Sequence, residues 1–289
     1  MYGTSGMSGT VAELDDYNPD LVTSETSGGK RASTDLTIVS PFTGKGRVFR
    51  KYLNSLDRLP CSTSHAIIYD NSCDARFRKR LTTSVLPRFQ SWELVTDKHK
   101  PVTWIQNEPV NQWKMIAARL GRVYWYCYKR IPPCRYVLNL EDDVEIPEDA
   151  WQKLQAVMDM DSDVGTVIGA CNDRRDAPDY ASFGKPIAFN FQVSQVLGPS
   201  GQDPDHIGLI QLPSRDFGIE QIGAGHMGCW LTRRTTVEDV PMGEPEIVGL
   251  AGTDIVWGWN LYKRGWRFAT DWSVKCQHWS TRGNRIVSV

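Results

Sequence analysis

An α/β fold with a mostly parallel central sheet is the fold class that the sequence predicts, and three observations predict it. Short apolar, β-branched runs alternate with segments of helical periodicity from residue 36 to residue 171. Two of those runs end abruptly in carboxylates, at Asp70 and at Glu141-Asp142-Asp143. The chain of 289 residues is long enough for one large core, and its 40% hydrophobic and 23% charged composition is that of a globular protein.

Residues 1–34, rich in Gly, Ser, Thr and Asp, are expected to form a disordered tail. The remainder, 35–289, is read as one domain whose halves, 35–174 and 175–289, divide between ligand binding and a smaller second subregion. "LTIVSPF" (36–42) reads as a buried strand ending in a turn at Pro41. "RVFRKYLNSLDRL" (47–59) places Val48, Tyr52, Leu56 and Leu59 at helical spacing. "SHAIIYDNS" (64–72) is a second strand, and "DARFRKRLTTSVLPRF" (74–89) a helix that Pro87 ends or kinks. "WELVT" (92–96), a long helix over 111–130 and "RYVLNL" (135–140) follow. A helix over 147–159 starts with Pro147, and "VGTVIGAC" (164–171) is the fifth strand.

From about residue 174 the pattern breaks. Residues 178–222 are rich in Gly, Pro, Gln and Asp and are expected to be irregular, with an apolar patch at 187–193. "GAGHMGCWLTRRT" (223–235) reads as a glycine-rich turn and a short strand. A helix over 253–264 stops at Gly265, and "VKCQHW" (274–279) closes the chain as a strand.

Net charge is −1, so bulk charge suggests neither a polyanion partner nor an acidic-substrate specialist. Five of the acids and none of the bases fall in the first 29 residues, so the body beyond them carries 33 bases against 29 acids. That mild basicity permits nucleic-acid contact without demanding it. The seven cysteines have no CxxC spacing and read as reduced core thiols of a cytoplasmic protein. No apolar run approaches the roughly 18 residues of a membrane span.

The acidic stretch "LNLEDDVEIPEDAW" (138–151) carries the most chemistry. Adjacent carboxylates repel unless a cation, an arginine or water separates them. A hard divalent ion, Mn²⁺ or Mg²⁺, takes carboxylate and phosphate oxygens, and a strand end with three acids meets that need. The competing reading is charge at a helix N-terminus, which accounts for Glu148 and Asp149 but poorly for three acids on the strand itself. Ligands in parallel sheets bind at the carboxyl ends of strands, where Asp70 and this motif both sit. Asp254, His278 and the "GAGHMG" turn are each unremarkable alone: a first-turn acid, a strand-end histidine and a turn.

Taken in order, "TIVSPF", "IIYDNS", "LNLEDDV", "GTDIVWGWNLYKRGW" and "VKCQH" resemble the glycosyltransferases of the GT-A fold, family-2-like, with a Glu-Asp-Asp variant of their acidic DXD motif. The resemblance covers about residues 36–280. It implies a nucleotide-sugar-binding half at 35–174 and an acceptor-binding half at 175–289. It places Pro41, Phe42, Asp70 and Asn71 around the nucleotide, and Glu141 and Asp142 on nucleotide or sugar hydroxyls. Asp143 would hold the metal, with His278 as a second protein ligand. Asp254 would be the catalytic base of an inverting transfer, and His226, Met227 and Trp257 would line the acceptor side. Thr253 departs from the acid that many members carry before the base. The implied donor is a nucleotide sugar, a UDP-sugar being favoured, and the acceptor a glycan, lipid, protein or hydroxymethylated base in DNA. Lys114 and Arg119 would face the phosphates or solvent. Two rival functions stay open: a sugar-phosphate nucleotidyltransferase using "PFTGKGRVF" (41–49), and a non-catalytic nucleic-acid-binding protein using the basic aromatic stripes "RLGRVYWYCYKR" and "LYKRGWRF".

Overall fold

The structure is a computed structural model that describes residues 19–27, 33–43, 46, 48–99, 109–171, 188–193, 207–240, 242, 253–279 and 286–287. Most of the expected tail, residues 1–18 and 28–32, lies outside the described residues, as do the side chain of Lys114 and much of the expected irregular segment.

A nine-stranded sheet organises the chain. In chain order its strands are β1 (Val22–Thr26), β2 (Thr34–Phe42), β3 (His65–Asp70), β4 (Ser91–Asp97), β5 (Cys134–Leu140), β7 (Val164–Ala170), β10 (Ile219–Ile222), β12 (Cys229–Arg233) and β13 (Arg267–Lys275). Their spatial order is β1-β4-β3-β2-β5-β12-β7-β13-β10. β4, β3, β2 and β5 run parallel; β12 is inserted antiparallel between β5 and β7, and β13 pairs parallel to β7. β2, β3 and β7 are buried almost without break, as expected for strands covered on both faces. Strands from 35–174 and from 175–289 thus share one sheet.

Two apolar layers sandwich it. On one face lie α1 (Phe49–Asp57), α2 (Ala75–Arg80) and α4 (Ala150–Met160), with Tyr52, Leu56, Phe77, Leu154 and Met158 in a common core. On the other lie α3 (Pro109–Tyr128) and the helix Thr253–Lys263, here α6, with Tyr124, Tyr128, Trp230, Trp257, Leu261 and Trp272. α5 (Arg234–Asp239) follows β12. Three of the eleven tryptophans are spent in this second core, with no exposed surface. Each anchors its indole N–H: Trp230 donates to Tyr128 Oη at 3.1 Å, Trp257 to Thr166 Oγ1 at 3.1 Å and Trp272 to Glu220 Oε2 at 2.8 Å.

Local chemistry sets the element ends. Asp74 caps α2, accepting from Arg76 N at 2.8 Å. The expected helix over 74–89 is α-helical only to Arg80. It widens into a π turn at Leu81–Val85 and closes as a 3-10 turn at Leu86–Arg88, where Pro87 has no N–H to continue the ladder. Gly265, at φ 78°, ends α6 as expected.

Three expectations require correction. Residues 22–26, inside the expected tail, form β1 and pair antiparallel with β4, closing one edge of the sheet. The stretch 178–222 is not wholly irregular: Ala188–Val193 (β8) pairs with Ile207–Gln211 (β9) and with Ala224–Gly225 (β11), and Ile219–Ile222 pairs with β13. The last long strand begins at Arg267 rather than Val274. Its alternation is broken by a bulge at Asp271–Lys275, where the Asp271 carboxylate accepts from Ser273 N at 2.9 Å and Ser273 Oγ at 2.7 Å.

α6 is seated by Gly258. A Cβ there would stand 2.0 Å from Gly223 O and 3.1 Å from Ala224 Cα, so the helix backbone lies directly on the β10–β11 connection. Gly258→Ala is expected to force α6 off that seat and to destabilise by about 1–3 kcal/mol. Thermal unfolding of the variant should show a midpoint several degrees lower.

Candidate metal and nucleotide site

The three consecutive acids leave β5 on a turn, with Val144 N donating back to Glu141 O at 3.2 Å. The turn distributes the carboxylates over different partners. Glu141 receives a hydrogen bond from Tyr124 Oη at 3.3 Å. Asp142 folds back toward β2 and accepts from Thr43 N at 3.0 Å. Asp143, 1% exposed, faces His278, whose Nε2 lies 3.5 Å from Asp143 Oδ1.

His278 arrives through a second, smaller sheet. After the β13 bulge the chain crosses to β14 (Gln277–Trp279), which pairs antiparallel with β6 (Val144–Glu145) and with β15 (Ile286–Val287). His278 stands opposite Val144, and Trp279 N donates to Asp143 O at 2.8 Å. The result is a cluster in which one ligand atom each of Glu141, Asp143 and His278 lie within 4.8 Å of one another. Two carboxylate oxygens and an imidazole nitrogen are a donor set suited to a divalent cation. The resemblance puts Glu141 on the nucleotide; the geometry groups it with Asp143 and His278.

The turn at 226–228 closes one wall. His226 Nδ1 accepts from Gly228 N at 2.9 Å, and its Nε2 lies 2.9 Å from Gly169 O, so the ring is a neutral Nε2–H tautomer with both nitrogens engaged. Gly228 O accepts from Glu141 N at 3.0 Å, and a Cβ on Gly228 would meet Val144 Cγ2 at 2.7 Å. His226 therefore braces the acidic turn from within, and Met227 is buried beside it. Trp257 has no exposed surface and belongs to the core under α6, not to an acceptor surface. Asp254 is in the first turn of α6, four residues before Gly258 and so on the same helix face. That face is the one seated on residues 223–224, which lead into the turn that holds Glu141.

A second polar cluster lies at the ends of β3 and β4. Asp70 Oδ1 accepts from Ser72 N at 3.0 Å. Asn71 N donates to Phe42 O at 2.9 Å and Asn71 Nδ2 to Asp97 Oδ2 at 2.8 Å. Asp97, 3% exposed, also receives Tyr69 Oη at 3.0 Å and His99 N at 2.8 Å, with His99 Nδ1 at 2.6 Å and Arg119 Nη2 at 3.5 Å. Arg119 thus reaches the end of β4. Pro41 and Phe42 are buried, and the Phe42 ring packs edge-on to Tyr52 at 4.8 Å, so this strand end offers backbone rather than side chain. Asp97 and His99 were invisible as site residues because "VTDKH" carries no motif; only their place at a parallel strand end marks them.

The basic aromatic stripe of α3 is occupied by its own cations. Lys129 Nζ lies 3.5 Å from the Trp125 ring centroid and Arg130 Cζ 3.5 Å from that of Tyr126. This is helix-surface packing of the kind an amphipathic helix provides. All seven cysteines are free thiols.

No family model matches the chain, and no curated protein matches it either. Solved structures do. GalNAc-T7 with UDP, GalNAc and Mn²⁺ aligns at TM-score 0.54 and 9% identity over 86% of this chain and 44% of that one. Staphylococcus aureus TarS 1–349 aligns at TM-score 0.48 and 13% identity, over 82% of this chain and 58% of that one. A197 from STIV aligns at TM-score 0.39 and 11% identity, over 86% of each chain. The chain spans under half the length of GalNAc-T7. The mixed α/β architecture, with its large and mostly parallel central sheet flanked by helices, is that of the GT-A fold.

Burial holds the His226 imidazole down at about 4 against its usual 6.5, with the nearby His278 acting in the same direction. The unfolded chain therefore takes up a proton at this position below about pH 6.5 that the folded chain refuses until about pH 4. Stability is expected to fall across that window, by about 3 kcal/mol from this group at its lower end. Denaturant unfolding at pH 7 and pH 4.5 should show a smaller difference between the two conditions in His226→Asn than in the parent chain.

Proposed function

We propose that the protein is a metal-dependent glycosyltransferase that moves a sugar from a nucleotide sugar, with UDP as the favoured nucleotide, to an acceptor hydroxyl. The observation that carries this reading is the placement of the Glu141–Asp143–His278 cluster at the carboxyl edge of the parallel sheet, on the same edge as the Asp70–Asn71–Asp97 cluster. The GT-A architecture supports it, and the GalNAc-T7 structure that shares that architecture was solved with UDP, GalNAc and Mn²⁺.

In this reading Glu141, Asp143 and His278 hold Mn²⁺ or Mg²⁺, which when bound supplies Lewis-acid stabilisation of the departing diphosphate. Asp70, Asn71 and Asp97 take the base and ribose as hydrogen-bonding partners at the ends of β3 and β4. Asp142 accepts from Thr43 N and so ties the end of β2 to the acidic turn. Asp254 takes the proton of the acceptor hydroxyl, giving in-line displacement with inversion. Residues 175–289 form the acceptor half, where glycans and hydroxymethylated DNA bases are the acceptors to screen first. Among the described residues no helix is long and apolar enough to cross a membrane; the free cysteines fit a cytoplasmic, reducing setting.

The test is nucleotide binding with and without metal. UDP is expected to raise the unfolding midpoint only with Mn²⁺ present, and Asp143→Ala to abolish that shift. A panel in which no nucleotide stabilises the protein under either condition removes the glycosyltransferase reading. Formation of diphosphate from a nucleoside triphosphate and a sugar phosphate selects a nucleotidyltransferase instead.

Asp254→Asn separates binding from chemistry. It is expected to keep the metal-dependent UDP shift and to lose about 10²–10⁴ in transfer rate. Normal transfer by Asp254→Asn would rule out this base.

A further inference from the structure

The acidic turn and the histidine strand are separate pieces of chain, and one side chain of α1 touches both. Lys51 Nζ lies 3.1 Å from Glu145 Oε2, two residues after Asp143, and 4.3 Å from the centroid of the Trp279 ring, the residue after His278. The Glu145 side chain is 9% exposed and that of Lys51 37%, so the ion pair is sheltered on the carboxylate side. The geometry points to Lys51 as a positioning residue for the metal cluster: it ties β6 to β14 and thereby fixes the Asp143–His278 separation.

The other residues of α1, with Arg58 just past its end, show why Lys51 carries this role. Ser55 Oγ donates to Val144 O at 3.1 Å and accepts from Ile146 N at 3.1 Å. Asn54 Nδ2 donates to Glu145 Oε1 at 3.0 Å, and Arg58 Nη1 donates to Ile146 O and lies 3.8 Å from Glu145 Oε1. The hydrogen bonds and the ion pair of these three go to residues 144–146, at β6 and just after it. If Lys51 is removed, they still hold β6 against α1 and still compensate the Glu145 charge. What disappears is the cation on the Trp279 indole. The loss should therefore appear as slack in His278 rather than as unfolding. Groups behind metal ligands typically change metal affinity 10- to 100-fold.

This inference rests on the metal-site reading above, and its experiment separates the two. Mn²⁺ is titrated into metal-free protein without nucleotide, and the free ion is followed by its electron paramagnetic resonance signal. Lys51→Met is expected to weaken Mn²⁺ binding about tenfold with the metal-free unfolding midpoint little changed. Lys51→Arg should restore the parent affinity, since a guanidinium can both pair with Glu145 and lie over an indole. Trp279→Leu should weaken binding as Lys51→Met does, and the double variant should add little further loss. Parent-like affinity in Lys51→Met, or additive losses in the double variant, overturns the role of Lys51 while leaving the metal site intact. Failure of the parent protein to bind Mn²⁺ overturns both.

Discussion

The pairing of β6 with β14 is the constraint on which the site depends. It is a short ladder, with Gln277 opposite Glu145 and His278 opposite Val144. It joins a turn at residue 143 to a strand 135 residues later in the chain. Such a short ladder contributes little by itself, so its stability is borrowed from both sides. On one side α1, through Asn54 and Ser55, and Arg58 just after it fix β6. On the other, β13 is registered parallel to β7 and leaves it through the Asp271–Lys275 bulge. Without the bulge the chain would continue along β7, and His278 would not meet Asp143. Gly169 permits the exit: a Cβ there would lie 2.7 Å from Cys276 Sγ and 2.8 Å from Val274 Cγ1.

The same logic resolves the like-charge problem of three consecutive acids. Repulsion between them is reduced by geometry before any ion is considered. Asp142 turns to a backbone N–H of the β2 loop, Glu141 to a buried tyrosine hydroxyl, and Asp143 to the imidazole side. Glu145, the next acid, is matched by Lys51, Asn54 and Arg58. Only Glu141 and Asp143 are left close enough, with His278, to share a cation. The acidic run is therefore a set of distinct roles assigned by backbone direction.

The legible part of the sequence was the part whose local pattern and burial agree. β2, β3, β5 and β7 are continuous apolar runs because both faces are covered, and the carboxylates at their ends stood out for that reason. Asp143 and His278 were readable as a pair only through the order of motifs, and the structure brings their side chains together. β8, β9 and β10 were not legible, since four- to six-residue strands with polar neighbours carry no periodic signal. β1 was hidden because "VTSET" is a mostly exposed edge strand, laddered to β4, with no alternating apolar face to read. Trp257 was misplaced for a different reason: an aromatic on a helix that opens with a candidate base reads equally as platform or as core, and its full burial and its bond to Thr166 decide.

Because the three residues come from the middle and the C-terminal part of the chain, a cation held by them would report on the sheet that joins those parts. Glu141 and Asp143 follow β5, while His278 is reached only after β12 has been inserted between β5 and β7 and β13 has been laid beside β7. A state lacking the C-terminal strands keeps the two carboxylates and loses the imidazole, so its affinity for the ion must be lower. The ion then favours the complete sheet by the ratio of those affinities, in proportion to RT ln(1 + [L]/Kd). The coupling runs both ways, since any interaction that holds β14 on β6 raises metal affinity by the same factor. In the proposed site the supports of β14 and the affinity for the cation are thus one thermodynamic quantity. On that reading, residues as far from the strand ends as Gly169 and Lys51 would bear on cation binding at Asp143.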